Sequence, residues 1–172
     1  GTTGIQALDL LGRKVLLLTK GKAVRDFTGK VLKFCASQAT NRKMWPFVGT
    51  LTKYCAHWNI LATRILLIAA KDRDIVGSAA YDFLMFSGFV SLAYYWARMA
   101  AVAYEKLEKG GTEAPEFYKA KIQVAEFYFE RLLPRAKAHA ELALAPTRSL
   151  MQLDNESFTR SEERRVGKER RS

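Results

Sequence analysis

Residues 83–97 read FLMFSGFVSLAYYWA, an apolar stretch of fifteen residues between Asp82 and Arg98. A helix that is apolar on all sides must be covered, either by lipid or by other helices. A bilayer-spanning helix needs about 20 apolar residues, whereas this stretch is shorter and includes two serines, a glycine and two tyrosines. We therefore predict that it is the central helix of a bundle and that the chain has no membrane span.

Helical periodicity continues on both sides of that stretch. Apolar residues recur at spacings of three and four, and no segment alternates apolar and polar residues for long enough to indicate a strand. A break at Gly21 ends the first predicted helix, and four more are predicted at about 22–39, 47–71, 74–108 and 115–144. Pro134 is expected to kink the last of these helices. The sequence thus predicts an all-α fold, an antiparallel helical bundle of four to five long helices.

The first and fifth helices each have a predicted apolar face. On the first helix this face holds five residues: Ile5, Leu8, Leu11, Val15 and Leu18. On the fifth helix it holds four: Phe117, Val124, Tyr128 and Leu132. Because the first helix would pack on partners outside this chain, we expect Leu8, Leu11 and Leu18 to be partly exposed.

The net charge of +11 does not have the pattern of a nucleic-acid-binding protein. The last thirteen residues hold six basic and three acidic side chains, and without them 22 basic residues stand against 14 acidic ones, a net +8. No arginine-rich run or aromatic RNA-binding signature is present. We therefore favour a solvated basic surface and no nucleic-acid partner, although an acidic ligand such as a nucleotide or coenzyme A also fits this charge.

The tail carries no functional signal. Residues 160–169, RSEERRVGKE, resemble the translation of a sequencing adapter and have no apolar period. Residues 159–172 are therefore predicted to be disordered and non-native.

The sequence contains few residues that suggest catalysis. His57 and His139 lie on separate predicted helices without the spacing of a metal site, so a structural or solvated role is expected for both. Metal-binding and phosphate-loop motifs are missing from the sequence, and no metal ligand is predicted. Cys35 and Cys55 exclude a disulfide framework and are predicted to be reduced thiols that fill space in or near the core of a cytoplasmic protein.

The opening GTTG is the candidate binding site. Gly1 permits close approach to the backbone, and Thr2 or Thr3 can cap the helix that follows. Free N–H groups in the first turn and the positive end of the helix dipole favour an anion at this position.

The same opening, GTTGIQALDLLGRK, resembles the segment that directly follows the catalytic glutamate in acyl-CoA dehydrogenases. That family carries Tyr-Glu-Gly-Thr, a short polar pair and Ile-Gln at the start of a helix, and Gly1, Thr2, Ile5 and Gln6 match this pattern. The later stretches EFYFERLLPRAKAHAELALA and SLMQLDNESF are similar to the extra C-terminal helical domain of the long bacterial branch of the family. The resemblance covers about residues 1–158.

The resemblance implies an FAD-dependent enzyme that removes the α-proton and the β-hydride of an acyl-CoA thioester. The glutamate that takes the proton would directly precede Gly1, so this chain alone is expected to be inactive. Gly1 would lie against the acyl-CoA substrate, and Thr2, Thr3 and Gly4 would contact the FAD. Many relatives have a larger polar residue where this chain has Gly4, so only a backbone contact is expected there. An electron-transfer acceptor and a homodimeric parent are implied as partners, and Asp9 and Arg13 are expected to make surface or helix-pairing contacts.

On this interpretation, residues 1–39 are the end of the dehydrogenase C-terminal helical domain and residues 40–158 are an additional helical bundle domain. The alternative hypothesis is a freestanding cytosolic interaction module with a basic surface. A small membrane-associated protein built on residues 83–97 is a third hypothesis. The resemblance favours the enzyme fragment.

Overall fold

The computed structural model describes residues 2–152, and every regular element in that range is helical. The elements are, in order, α1 (Thr2–Leu8), a π-helix (Asp9–Leu18), α2 (Lys22–Ser37), a 3₁₀ turn (Arg42–Met44), α3 (Trp45–Ala69), α4 (Asp74–Lys109), α5 (Pro115–Phe127), a π-helix (Tyr128–Leu132), a 3₁₀ turn (Leu133–Arg135), α6 (Ala136–Leu142) and α7 (Arg148–Met151). Five long helical stretches result, so the predicted all-α bundle is confirmed. The predicted tail at 159–172 lies outside the described residues.

The helix α4 is the centre of the bundle. It packs against α1, α3, α5 and α6. Its core-facing residues are either large or very small, which fills space while allowing close approach of neighbouring helices; the fully buried ones include Phe83, Phe86, Val90, Ala93, Ala97 and Ala100. The predicted central helix is therefore confirmed.

The argument from length against a membrane span does not hold for α4 as a whole. The helix has 36 residues, and it is the one helix among residues 2–152 that is long and apolar enough to cross a membrane. That result concerns length and composition alone, and 39% of its most apolar window is buried against other helices. The bundle interpretation therefore rests on the buried face of α4.

The ends of the helices agree closely with the predictions. Gly21 follows the first helical stretch in a left-handed conformation, with φ 79°, and its N–H donates to the carbonyl of Val15 at 2.7 Å. Pro46 lies in the first turn of α3, where a missing N–H is harmless. Pro134 does break the regular helix, which changes from π to 3₁₀ geometry around it.

The predicted apolar face of the first helix is partly wrong. The structure buries Ala7, Leu11, Val15 and Leu16, whereas Ile5, Leu8 and Leu18 are exposed. From Asp9 onward the chain is a π-helix, whose wider turn shifts the positions that share a face with Ala7, so Leu11, Val15 and Leu16 are buried and Leu18 is not. Partial exposure is thus confirmed for Leu8 and Leu18 and wrong for Leu11.

The predicted face of the fifth helix is confirmed at Tyr128 and wrong at Phe117 and Val124, where the next residue along the chain is the buried one. The buried side chains on this stretch are Tyr118, Ile122, Ala125 and Tyr128. Phe117 and Val124 are exposed, and Leu132 is half-buried. As a result, an apolar strip of the α5 surface next to α4 is exposed to solvent.

The residues of the two predicted domains share one core. Leu11, Val15 and Val24 belong to the same buried cluster as Phe83 and Leu133. The division at residues 39 and 40 stays a prediction, because it concerns how these segments are arranged in a longer protein.

Candidate cofactor and substrate site

The first turn of α1 presents the predicted binding residues to solvent. Thr2, Thr3 and Gly4 are all exposed, and Gly1 lies outside the described residues. The helix begins at Thr2, so the expectation that Thr2 or Thr3 caps it from outside is wrong. Both threonines instead contribute first-turn N–H groups, which have no acceptor within the helix.

The body of the same helix is fixed to the bundle, which positions this turn. Ala7 and Leu11 are buried, and α1 packs against α4. A Cβ atom placed on Gly4 would have no atom within 4 Å. The backbone at Gly4 is therefore open to a ligand on its outer side.

The charged side chains along the first helical stretch would not repel an anion bound at its start. Asp9 accepts a hydrogen bond from the Arg13 guanidinium, which lowers the pKa of this carboxyl, and Lys14 lies 3.4 Å from its second oxygen. The first turn itself has no acidic residue. The predicted surface contact of Asp9 and Arg13 is confirmed as an ion pair one helical turn apart.

These donors fit the phosphate portion of FAD. Exposed threonine hydroxyls and free N–H groups at a helix start are hydrogen-bond donors suited to phosphate oxygens. A flavin ring needs an extended surface, which the short side chains of Thr2, Thr3 and Gly4 do not provide. The described residues at this turn can therefore hold phosphate groups and no more of the cofactor.

Among the polar pairs between helices that sequence analysis missed is one that involves a histidine. His139 Nδ1 lies 2.8 Å from Asp82 Oδ1, and the imidazole stacks on Phe89 with 5.8 Å between ring centroids. The pair joins α6 to α4, which agrees with a structural role for His139. His57 is exposed and makes an edge contact with Phe86.

The two cysteines are structural. Cys35 on α2 and Cys55 on α3 are free and buried, as predicted. Burial raises the pKa of both thiols, that of Cys55 to about 12. Both are therefore protonated and poor nucleophiles near neutral pH. Across residues 2–152, no three His, Cys, Asp or Glu side chains are grouped so that they could hold a metal ion.

Comparison with known proteins identifies the family. A family described as "Acetyl-CoA dehydrogenase C-terminal like" matches residues 27–154. The chain belongs to this family. The resemblance found in the sequence is thereby confirmed, and the acetyl-CoA dehydrogenase C-terminal-like match includes α3 to α6 in full.

Two curated relatives of this family member align with most of the chain. It is 30% identical over 165 residues to the broad-specificity linear acyl-CoA dehydrogenase FadE5 of Mycobacterium tuberculosis, covering 92% of this chain and 27% of the relative. It is 30% identical over 145 residues to the 3-methylmercaptopropionyl-CoA dehydrogenase of Ruegeria pomeroyi, covering 80% of this chain and 23% of the relative. The chain thus spans about a quarter of the length of these relatives.

Proposed function

We propose that this chain is the C-terminal part of an FAD-dependent acyl-CoA dehydrogenase that acts in the degradation of fatty acids or related acids. The observation that carries the proposal is the alignment of most of the chain with two relatives that are both named acyl-CoA dehydrogenases. The exposed donors at the start of α1 support it, because the family resemblance assigns them to the cofactor.

The reaction removes two hydrogens from adjacent carbons of the acyl group. By the family resemblance, a glutamate directly before Gly1 would take the α-proton, and FAD, when bound, would supply the acceptor for the β-hydride. By the same resemblance, Gly1 would lie against the acyl-CoA substrate. Thr2 and Thr3 would donate hydrogen bonds to the cofactor phosphates through their hydroxyl and N–H groups, and Gly4 would contribute its backbone alone.

The additional helical domain at 40–158 has a supporting role in this proposal. This domain would cover the dehydrogenase core and contribute either to assembly or to the shape of the acyl channel. The complete enzyme would be a cytoplasmic homodimer that passes electrons to a separate acceptor. In a complete enzyme, Phe86→Ala and Tyr95→Ala test this role. If both variants kept the stability, oligomeric state and chain-length preference of the wild type, the proposed role would be wrong.

The activity is tested with the full-length protein encoded by the source gene. The purified protein is expected to carry FAD, and anaerobic addition of acyl-CoA is expected to bleach the visible absorption of the flavin. A series of acyl-CoA chain lengths then defines the substrate. A protein that binds neither FAD nor acyl-CoA would contradict the proposal and favour the freestanding interaction module.

The contacts at the first turn are tested by the affinity for FAD. In the full-length protein, Thr2→Val with Thr3→Val removes two hydroxyl donors, and each lost neutral hydrogen bond should weaken FAD binding by about 1 kcal/mol. Thr63→Val is the matched control, because Thr63 is exposed and its hydroxyl bonds only within α3. Equal dissociation constants for the wild type and the double variant would exclude these hydroxyls from the cofactor site.

A further inference from the structure

An apolar groove runs between α4 and α5. Its cavity measures about 480 Å³, within the usual range for sites that bind small molecules. Its apolar lining comes from both helices: Tyr95, Met99, Val102 and Ala103 on α4, and Phe117 and Tyr118 on α5. Half of the surface of Tyr95, Val102 and Phe117 is exposed, at 50%, 53% and 47%. Large apolar side chains grouped this way form a ready surface for an apolar ligand.

The two charged residues that line the groove are both cations. Arg98 comes from α4 and Lys121 from α5. Lys121 Nζ lies 5.0 Å from the ring centroid of Phe117, and Arg98 Cζ lies 5.5 Å from that of Tyr94. Within residues 2–152, neither cation has a carboxylate partner within 4 Å. Both are therefore free to pair with an anion that enters the groove.

On α4, the two acidic residues that follow Arg98 are already paired. Glu105 pairs with Lys109 at 3.1 Å, and Glu108 pairs with Lys43 at 2.7 Å. On α5, Glu116 and Glu126 are each five positions from Lys121, and neither lines the groove. No carboxylate lines the groove itself. Both walls of the groove are thus mainly apolar, and each wall carries one positively charged side chain.

We propose that this groove binds a single-chain amphiphile with an anionic head group, of the class of long-chain fatty carboxylates. The hydrocarbon chain lies along the apolar walls of the two antiparallel helices. The head group accepts hydrogen bonds from Arg98 or Lys121, which line the groove from opposite walls. The site uses none of the first-turn residues proposed to contact FAD and acyl-CoA, Gly1 to Gly4, so its test does not depend on the dehydrogenase reaction.

The test is an isothermal titration calorimetry experiment in which dodecanoate, kept below its critical micelle concentration, is added to the 172-residue chain. Dodecanoate is expected to bind once per chain and about tenfold more tightly than dodecanol, a difference that corresponds to one good charge-assisted contact. Arg98→Gln with Lys121→Gln should remove this preference for the anion. Lys106→Gln with Lys119→Gln is the matched control, because it removes one exposed cation from each helix outside the groove.

A second variant tests the location of the hydrocarbon chain. Met99→Glu places a carboxylate on the groove wall and should abolish dodecanoate binding, while circular dichroism confirms that the bundle is still folded. Equal affinity for dodecanoate and dodecanol, or an equal loss in the control variant, would overturn the proposal. Sedimentation tests whether a second copy of the chain occupies the groove instead. If the wild type does not bind dodecanoate and forms a dimer that Met99→Glu dissociates, the groove is an interface between two copies and the proposal is wrong.

Discussion

At the scale of single residues, the end of the first helical stretch depends on two left-handed residues. Lys20 has φ 46° and Gly21 has φ 79°. The left-handed conformation costs an L-residue with a Cβ atom about 1–2 kcal/mol. Glycine avoids that cost, so Gly21 is the residue that lets the chain turn into α2.

Gly21→Ala is therefore expected to lower the free energy of unfolding by about 1–2 kcal/mol. The new Cβ would lie 3.1 Å from Nη1 of Arg25, the mobile end of a long side chain, so the loss should come from the backbone and not from a clash. Gly29→Ala is the control with the opposite sign. Gly29 lies within α2 with open space around it, and alanine there should add up to about 1 kcal/mol. Urea unfolding of both variants checks this, and a similar effect at the two positions would contradict it.

The Asp82–His139 pair shows what residue-level reasoning cannot reach. These side chains lie 57 positions apart in the sequence and on different helices. Neither position belongs to a motif, because the contact is produced by the packing of α6 on α4. By contrast, Asp9 and Arg13 face away from the predicted apolar stripe, which was enough to predict a surface or helix-pairing contact, and the structure shows an ion pair within one helical turn.

At the scale of elements, the predicted helices were more accurate than their predicted faces. Helix positions follow from local spacing and from Gly and Pro, and α4 was predicted at 74–108 against Asp74–Lys109 in the structure. The prediction of which face of a helix is buried assumes a constant period of 3.6 residues. That period is lost in the π turns that begin after Leu8 and after Phe127. On α5 the period is regular and Phe117 and Tyr118 are both aromatic, so the sequence alone does not show which of the two faces the core. The α4–α5 groove could not be predicted either, since no sequence pattern shows which side of α4 lacks a neighbour.

The two sides of α4 should respond differently to truncation. Phe86 is fully buried, and Phe86→Ala should cost about 3–5 kcal/mol of unfolding free energy through lost burial and the cavity it leaves. Tyr95 is 50% exposed on the other side, and Tyr95→Ala should change stability by less than about 1 kcal/mol. Chemical denaturation of both variants gives the comparison. A large loss for Tyr95→Ala would mean that this side of α4 is covered in solution.

At the scale of the whole molecule, buried ionisable groups make the stability depend on alkaline pH. Burial raises the pKa of Cys55 from 9.0 and of Tyr128 from 10.0, each to about 12. The folded protein keeps both groups protonated at pH values where the unfolded chain loses those protons. Their contribution is complete below about pH 9 and is lost as the pH rises from 9 towards 12.

The unfolding free energy should therefore fall across this range by about 1.4 kcal/mol per pH unit for each group that is ionised only in the unfolded chain. Cys55→Ala removes one of these groups and should make the decline less steep, beginning near pH 9. Urea unfolding at a series of pH values measures both slopes. Parallel curves for the wild type and Cys55→Ala would show that the thiol ionises equally in the folded and unfolded states.

The surface of the whole chain carries a second apolar region, on its first helical stretch. Leu17 and Leu18 are 74% and 62% exposed at the end of the π-helix, and apolar side chains exposed together favour association. We predict that the chain self-associates as its concentration rises and that Leu17→Gln with Leu18→Gln reduces this association. Stability should change by less than about 1 kcal/mol, because little buried surface is lost. Leu67→Gln is the control, since Leu67 is 65% exposed on α3. Sedimentation equilibrium distinguishes the cases, because an equal reduction by Leu67→Gln would mean that general surface hydrophobicity, and not the first helix, drives association.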